Sequence, residues 1–103
     1  MGNPKIKLSA SARKFMQENG ITDVTFDLCR AEPRGVLKTI EPTYQAPTDA
    51  SGYRYFMVDG YHIFVTRKIK ILGPLTLTTE GIWKFKQLSL DGAGGAVSFW
   101  LFE

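Results

Sequence analysis

The chain has 103 residues, of which 44% are hydrophobic and 22% are charged. This composition is typical of one packed globular domain and not of a disordered or fibrous protein. Thirteen basic and ten acidic residues give a net charge of +3, and no apolar run approaches the ~20 residues that cross a membrane. The N-terminus lacks a signal-peptide pattern and the chain has one cysteine, so we expect a single domain over residues 1–103 in the cytoplasm.

One amphipathic helix is predicted near the N-terminus. Ser9 is placed to cap a helix over residues 9–19, and Asn19 with Gly20 is placed to end it, because glycine accepts the left-handed conformation that ends many helices. The apolar positions of this segment share one helical face: Leu8, Ala12, Phe15 and Met16. We therefore expect the helix to pack against a sheet.

The rest of the chain is predicted to be mostly strand. From Ile21 onward apolar and polar residues alternate, which indicates a half-buried strand with Cys29 on the side away from the core. The dipeptide Asp59-Gly60 lies between two strand patterns and predicts that they pair as a hairpin. The predicted strands cover residues 36–40, 53–58, 61–66, 69–72, 75–79 and 82–90, with a turn-rich loop over 42–52.

The C-terminal segment combines a glycine-rich break over 91–95 with a strand pattern over 96–102 that is apolar on both faces apart from Ser98. Such a strand either runs through the middle of the fold or pairs with another subunit, because a long apolar edge in water promotes aggregation. Both arrangements are open, and we expect self-association. The residues that would form the interface are Val97, Phe99, Trp100, Leu101 and Phe102.

Few residues indicate catalytic or metal chemistry. Cys29 and His62 are the candidate metal ligands, but one thiolate and one imidazole with scattered carboxylates do not form a metal motif. Neither a nucleophile motif nor a phosphate loop that opens a helix is found. We therefore expect a protein that is not an enzyme and holds no cofactor.

Basic residues in the second half of the chain suggest a charged surface. Lys68 and Lys70 share one predicted strand face, and Lys84 and Lys86 share another. If these strands are neighbours, the lysines and Arg67 form a positive stripe that could hold an acidic partner or a nucleic-acid backbone. An ordinary lysine-rich solvent face is the alternative. Because exposed aromatic residues for base stacking are not evident, we do not expect a nucleic-acid partner.

Three segments resemble a known fold: IKLSASARKFMQENG (6–20), VTFDLCRAEPRG (24–35), and YFMVDGYHIFVTRKIKIL (55–72) with GIWKFKQLSL (81–90). Their order is similar to the HesB-like fold of the A-type iron–sulfur carrier proteins. The resemblance implies a mostly β, α+β fold with one N-terminal helix on short mixed and antiparallel strands, as a β-sandwich or partly open barrel. In that family, cysteines in the first loop and near the C-terminus hold the iron–sulfur cluster.

This chain departs from the family at both cysteine positions. The first loop reads AEPRG over 31–35, and the C-terminal position reads GAGG over 92–95. The chain is also similar to small HesB-like proteins with a paired cysteine or selenocysteine in the first loop, and it lacks that pair. We therefore expect a non-catalytic binding or assembly module without an iron–sulfur cluster. The alternatives are an iron–sulfur or metal accessory protein that uses Cys29, and a small basic β-domain that binds nucleic acid.

Overall fold

The structure is a computed structural model that describes residues 6–30, 38–71, 74–81, 86–92 and 99–101. Within these ranges the fold is mostly β with one helix, which confirms the predicted α+β class. The helix α1 covers Ala10–Glu18. The strands are β1 (Ile6–Leu8), β2 (Asp23–Arg30), β3 (Lys38–Thr43), β4 (Tyr53–Val58), β5 (Tyr61–Thr66), β6 (Ile69–Ile71), β7 (Leu75–Glu80), β8 (Gln87–Gly92) and β9 (Phe99–Leu101).

The predicted helix forms where its capping residues place it. The Ser9 hydroxyl oxygen accepts the backbone N–H of Ala12 at 3.1 Å, and Gly20 follows the helix in the left-handed region with φ +64°. Ala12 and Met16 are fully buried. The helix therefore packs its apolar face against the sheets, and its polar face is exposed to solvent.

The larger sheet has four strands in the order β3-β2-β5-β4. β2 runs parallel to β5, and the β2–β3 and β4–β5 pairs are antiparallel. The predicted hairpin forms β4 and β5, and its two turn residues, Asp59 and Gly60, have φ values of +52° and +85°. Positive φ at both positions is what a type I′ turn requires. Arg13 of the helix and Asp59 form an ion pair at 2.8 Å, which ties α1 to the turn.

The remaining strands form two smaller sheets. In the order β1-β7-β8, β1 is parallel to β7 and β7 is antiparallel to β8. β6 and β9 form a separate antiparallel pair. The described strands are thus distributed over open sheets in a sandwich-like arrangement, and they do not close into a barrel. No helix in the described ranges is long and apolar enough to cross a membrane.

Two strands, β3 and β8, continue two or more residues past their predicted ends. β3 continues to Thr43 through Pro42, because β3 is an edge strand and an edge position tolerates proline. β8 runs on through Asp91 to Gly92, which pair with Thr76 and Leu75. Ladder pairing here outweighs the low strand propensity of aspartate and glycine. Of the predicted strand over 82–90, residues 82–85 lie outside the described part of the chain.

The core lies between the four-stranded sheet, the three-stranded sheet and α1. Strand alternation sends Val24 and Phe26 of β2, with Ile63 and Val65 of β5, into this core. The other fully buried side chains are Ala12, Met16, Ile69, Leu75, Leu77 and Leu88. The opposite face of the four-stranded sheet carries the intervening residues, and we call it the outer face.

Candidate functional site

A cleft of about 350 Å³ lies on the outer face, between β2, β3, the start of β4 and the loop over residues 44–52. Its lining is Thr25, Asp27, Thr43, Gln45, Ala46, Pro47, Thr48, Asp49 and Tyr53. The register explains why these side chains meet. Thr25 pairs with Thr43 in the β2–β3 ladder, and directly paired residues point to the same face of a sheet.

The loop over 44–52 folds back over the outer face and forms one wall of the cleft. The Thr25 hydroxyl donates to the backbone carbonyl oxygen of Gln45 at 2.7 Å, and Thr25 is 2% exposed although it lies on the outer face. At the other end of the loop, the Arg67 backbone N–H donates to the carbonyl oxygen of Gly52 at 3.0 Å. The loop is thus held at both ends and covers a polar strand position.

A hydrogen bond between Tyr53 and Asp27 forms one side of the cleft. The Tyr53 hydroxyl donates to Oδ1 of Asp27 at 2.5 Å, across the intervening strand β5. Thr66 is the β5 residue that pairs with Tyr53, and its small side chain leaves room for the tyrosine ring. The hydrogen bond to Asp27, the burial of the hydroxyl and the negative charges of Asp27 and Asp49 raise the pKa of Tyr53 to about 12.

The electrostatics of the cleft are acidic. Asp27 and Asp49 supply carboxylates, and the described lining contains no basic side chain. The backbone N–H of Ser51 donates to Oδ1 of Asp49 at 3.0 Å, and the hydrogen bonds from Ser51 hold the pKa of Asp49 below its ordinary value. The rest of the lining consists of residues with hydroxyl groups, Gln45, and the apolar Ala46 and Pro47. Such an arrangement can accept hydrogen bonds from a cationic guest.

An exposed group of apolar and aromatic side chains lies beside the cleft on the outer face. We call Tyr55, Met57, His62 and Phe64 the aromatic patch. Tyr55 and Met57 are 52% and 65% exposed. The Tyr55 hydroxyl and Nδ1 of His62 share a hydrogen bond at 2.5 Å, and the Tyr55 ring stacks on His62 and packs against Phe64. The hairpin register brings Met57 directly opposite His62.

The two candidate metal ligands are on different strands. His62 lies half-buried on β5 within the aromatic patch. Cys29 lies on β2 opposite Thr39, and the predicted orientation of its side chain falls outside what the structure describes. The described residues contain no group of three or more His, Cys, Asp or Glu side chains that could hold a metal.

The basic residues predicted to form a stripe are on separate elements. Arg67 and Lys68 are exposed in the turn between β5 and β6. Lys70 is on β6, which pairs with β9, and Lys86 is exposed directly before β8, which pairs with β7. Lys84 lies outside the described residues. β6 and β8, the strands that contain or follow the described Lys70 and Lys86, belong to different sheets and are not hydrogen-bonded neighbours in the described ladders.

The residues predicted to mediate self-association belong partly to β9. Phe99, Trp100 and Leu101 form this strand, which pairs in an antiparallel manner with β6 of the same chain. Val97 and Phe102 lie outside the described residues. The backbone of the C-terminal strand thus has a partner within the chain.

The cleft and the aromatic patch were not predicted from the sequence. The hairpin turn contains the signal for the patch, because it sets a register that places Met57 beside His62 and Tyr55 beside Phe64. No comparable signal indicates the cleft. It depends on hydrogen bonds from Thr25 to Gln45 and from Tyr53 to Asp27, between segments that are far apart in sequence.

Comparison with known proteins changes the expected family. No curated protein and no solved structure matches the chain. A family model described as "CC/Se motif containing family" matches residues 4–93. The expected membership of the HesB-like, A-type iron–sulfur carrier proteins, and with it a place in iron–sulfur biosynthesis, is therefore wrong. That expectation used the order of helix, hairpin and strands, which unrelated families share, and no cluster-binding cysteine supported it. Because this family model matches most of the length of the chain, the chain belongs to the CC/Se motif containing family.

Proposed function

We propose that this protein is a non-catalytic binding module that receives a cationic group, such as the head of a lysine or arginine side chain, in the cleft on the outer face. The observation that supports this proposal is the pair of carboxylates, Asp27 and Asp49, in a cleft whose described lining has no basic residue. Carboxylates bind ammonium and guanidinium groups through charge-assisted hydrogen bonds, which are stronger than neutral ones.

The size and polarity of the cleft favour a small polar guest. A volume of about 350 Å³ is at the lower end of the range for small-molecule sites, roughly 300–1,000 Å³. Threonine hydroxyls and the Gln45 amide could orient the guest, because they both donate and accept hydrogen bonds. An anion would meet two negative charges in this cleft, and a purely apolar guest would remove water from the carboxylates without offering a positive charge in return.

The chemistry of Tyr53 supports binding rather than catalysis. Its pKa of about 12 keeps the hydroxyl protonated near neutral pH. A phenol whose one hydrogen is donated to Asp27 can accept a hydrogen bond from a cationic guest through its oxygen, and it is unsuited to act as a general base.

Calorimetric titration with blocked amino acids tests this proposal. The probes are the Nα-acetyl methylamides of lysine, of arginine and of uncharged norleucine. We expect the two cationic probes to bind and norleucine not to bind. Asp27→Asn keeps the shape of the side chain and an oxygen that can accept from Tyr53, and it should weaken cation binding about tenfold, because it removes one charge-assisted hydrogen bond.

Asp91→Asn is the matched control, because Asp91 is an exposed carboxylate of β8 outside the cleft. It should leave the affinity unchanged. Equal affinity of wild type and Asp27→Asn for the cationic probes would contradict the proposal, and so would tight binding of norleucine.

The proposed compartment is the cytoplasm, because a chain with one cysteine forms no internal disulfide. Cell fractionation with an antibody against the protein tests this, and recovery from the periplasm or the medium would contradict it.

A further inference from the structure

The aromatic patch and the cleft form one continuous surface. Thr25 lines the cleft, and its partner in the β2–β5 ladder is Phe64 of the patch. Along β4, Tyr53 of the cleft and Tyr55 of the patch are two residues apart on the same face. Two residues of extended strand span roughly 7 Å, so a ligand of peptide size that enters the cleft also meets the patch.

The patch has the properties of an interaction surface. The exposed large hydrophobic side chains among the described residues are Tyr44, Tyr55 and Met57, and two of these three are in the patch. Exposed apolar side chains that cluster beside polar groups mark binding sites more often than single ones do. Methionine and tyrosine are both enriched at protein interfaces, since the thioether adapts to different partners and the phenol combines apolar area with a polar group.

The tyrosine of the patch is held before any partner arrives. The hydrogen bond to His62 and the packing against Phe64 fix the Tyr55 ring over β5. A side chain that is already ordered loses little rotamer entropy on binding, which favours affinity. Met57 lies next to it and is more exposed than Tyr44 and Tyr55. Its side chain is therefore available for apolar contact with a partner.

Building on the function proposed above, we propose that the occupant of this surface is an extended segment of a partner protein in which a lysine or arginine is two residues from an apolar side chain. The basic head enters the cleft between Asp27 and Asp49, and the apolar side chain contacts Met57 and Tyr55. Side chains two residues apart point to the same side of an extended chain, and their separation matches the spacing of Tyr53 and Tyr55. Charge complementarity selects the lysine or arginine of the segment, and apolar contact selects the side chain two residues away from it.

Titration with blocked heptapeptides tests the proposal. The sequences are Gly-Gly-Lys-Gly-Leu-Gly-Gly, the same peptide with glycine for leucine, and Gly-Gly-Lys-Leu-Gly-Gly-Gly, in which the two side chains point to opposite sides. We expect the first peptide to bind about five- to tenfold more tightly than the other two, the gain that partial burial of a leucine side chain gives. Met57→Ser should reduce this gain to less than twofold and leave the affinity for the leucine-free peptide unchanged.

Gln17→Ser is the control for Met57→Ser, because glutamine and methionine are similar in length and Gln17 is exposed on α1 outside this surface. Gln17→Ser should preserve the tighter binding of the first peptide over the other two. Equal binding of the three peptides, or a gain that survives Met57→Ser, would overturn the inference. If the leucine-free peptide still binds and depends on Asp27, the proposed function stands and only the inference fails. If no lysine peptide binds, both fail.

Sedimentation of wild type and Met57→Ser distinguishes a second copy of this chain from a foreign segment. We expect the two proteins to have the same mass in solution. An oligomer that dissociates on Met57→Ser would show that a second copy covers the patch, and this would overturn the proposal of a foreign segment.

Discussion

Tyr53 connects three parts of the molecule, because it begins β4, spans β5 and donates its hydroxyl to Asp27 of β2. The hydroxyl proton of Tyr53 contributes to the stability of the fold as well as to the hydrogen bonding of the cleft. The pKa of Tyr53 is about 12 in the folded protein against an ordinary value of 10. The folded state therefore holds this proton more strongly than the unfolded state does, and the resulting stability is fully present below pH 10.

Replacing Tyr53 tests this linkage. As pH rises from 10 to 12, the unfolded chain loses the proton first, so the contribution of Tyr53 to the free energy of unfolding falls. Tyr53→Phe should lower the free energy of unfolding by about 1 kcal/mol at neutral pH, the usual value of one hydrogen bond. The difference between wild type and variant should shrink toward pH 12. Urea denaturation between pH 7 and pH 11.5 measures it.

Tyr61→Phe provides the comparison, since Tyr61 is a half-buried tyrosine of β5 outside the lining of the cleft. A constant difference between wild type and Tyr53→Phe over this pH range would contradict the assignment of the hydrogen bond to Asp27.

The β4–β5 hairpin is the element that presents both halves of the proposed binding surface. Its turn determines the register, and the register places Tyr53 and Tyr55 on the outer face. Gly60 of the turn has a φ of +85°, where a side chain is strained. A Cβ atom added there would meet nothing within 4 Å, so the cost of a substitution comes from the backbone alone.

Gly60→Ala should lower the free energy of unfolding by about 1–2 kcal/mol, the cost of a left-handed conformation for a residue with a Cβ atom. Gly52→Ala is a matched control, because no neighbouring atom lies within 4 Å of an added Cβ and its φ lies outside the left-handed region. It should be neutral or slightly stabilising, by up to about 1 kcal/mol. Urea denaturation of both variants checks this, and equal losses would show that the turn conformation is not the cause.

Across the whole molecule, local signals predicted the elements and did not predict how distant elements meet. Ser9 and Gly20 mark the ends of α1, and Asp59-Gly60 marks the hairpin, because capping and turn chemistry depend on a few adjacent residues. β1 has three residues, too few for alternation to indicate a strand. The pairing of β6 with β9 and the fold-back of the loop over Thr25 depend on contacts between distant segments, which no local pattern contains.

Self-association through the C-terminal segment is expected from the way β9 is paired. Among the described strands β9 pairs with β6 alone. A two-stranded sheet is marginally stable by itself, so added pairing with a second copy would stabilise it. Light scattering at high protein concentration should give a mass above 11.6 kDa, and a monodisperse monomer would contradict the prediction.

Backbone amide NMR shifts test most directly whether the cleft on the outer face binds a cation. On titration with Nα-acetyl-arginine methylamide, the amide signals of Thr25, Asp27, Gln45 and Asp49 should shift together and saturate, since these residues line the cleft. The signals of Leu75 and Leu77 in the three-stranded sheet should stay in place. Shifts confined to another face of the molecule, or no saturable shift at all, would contradict cation binding in the cleft.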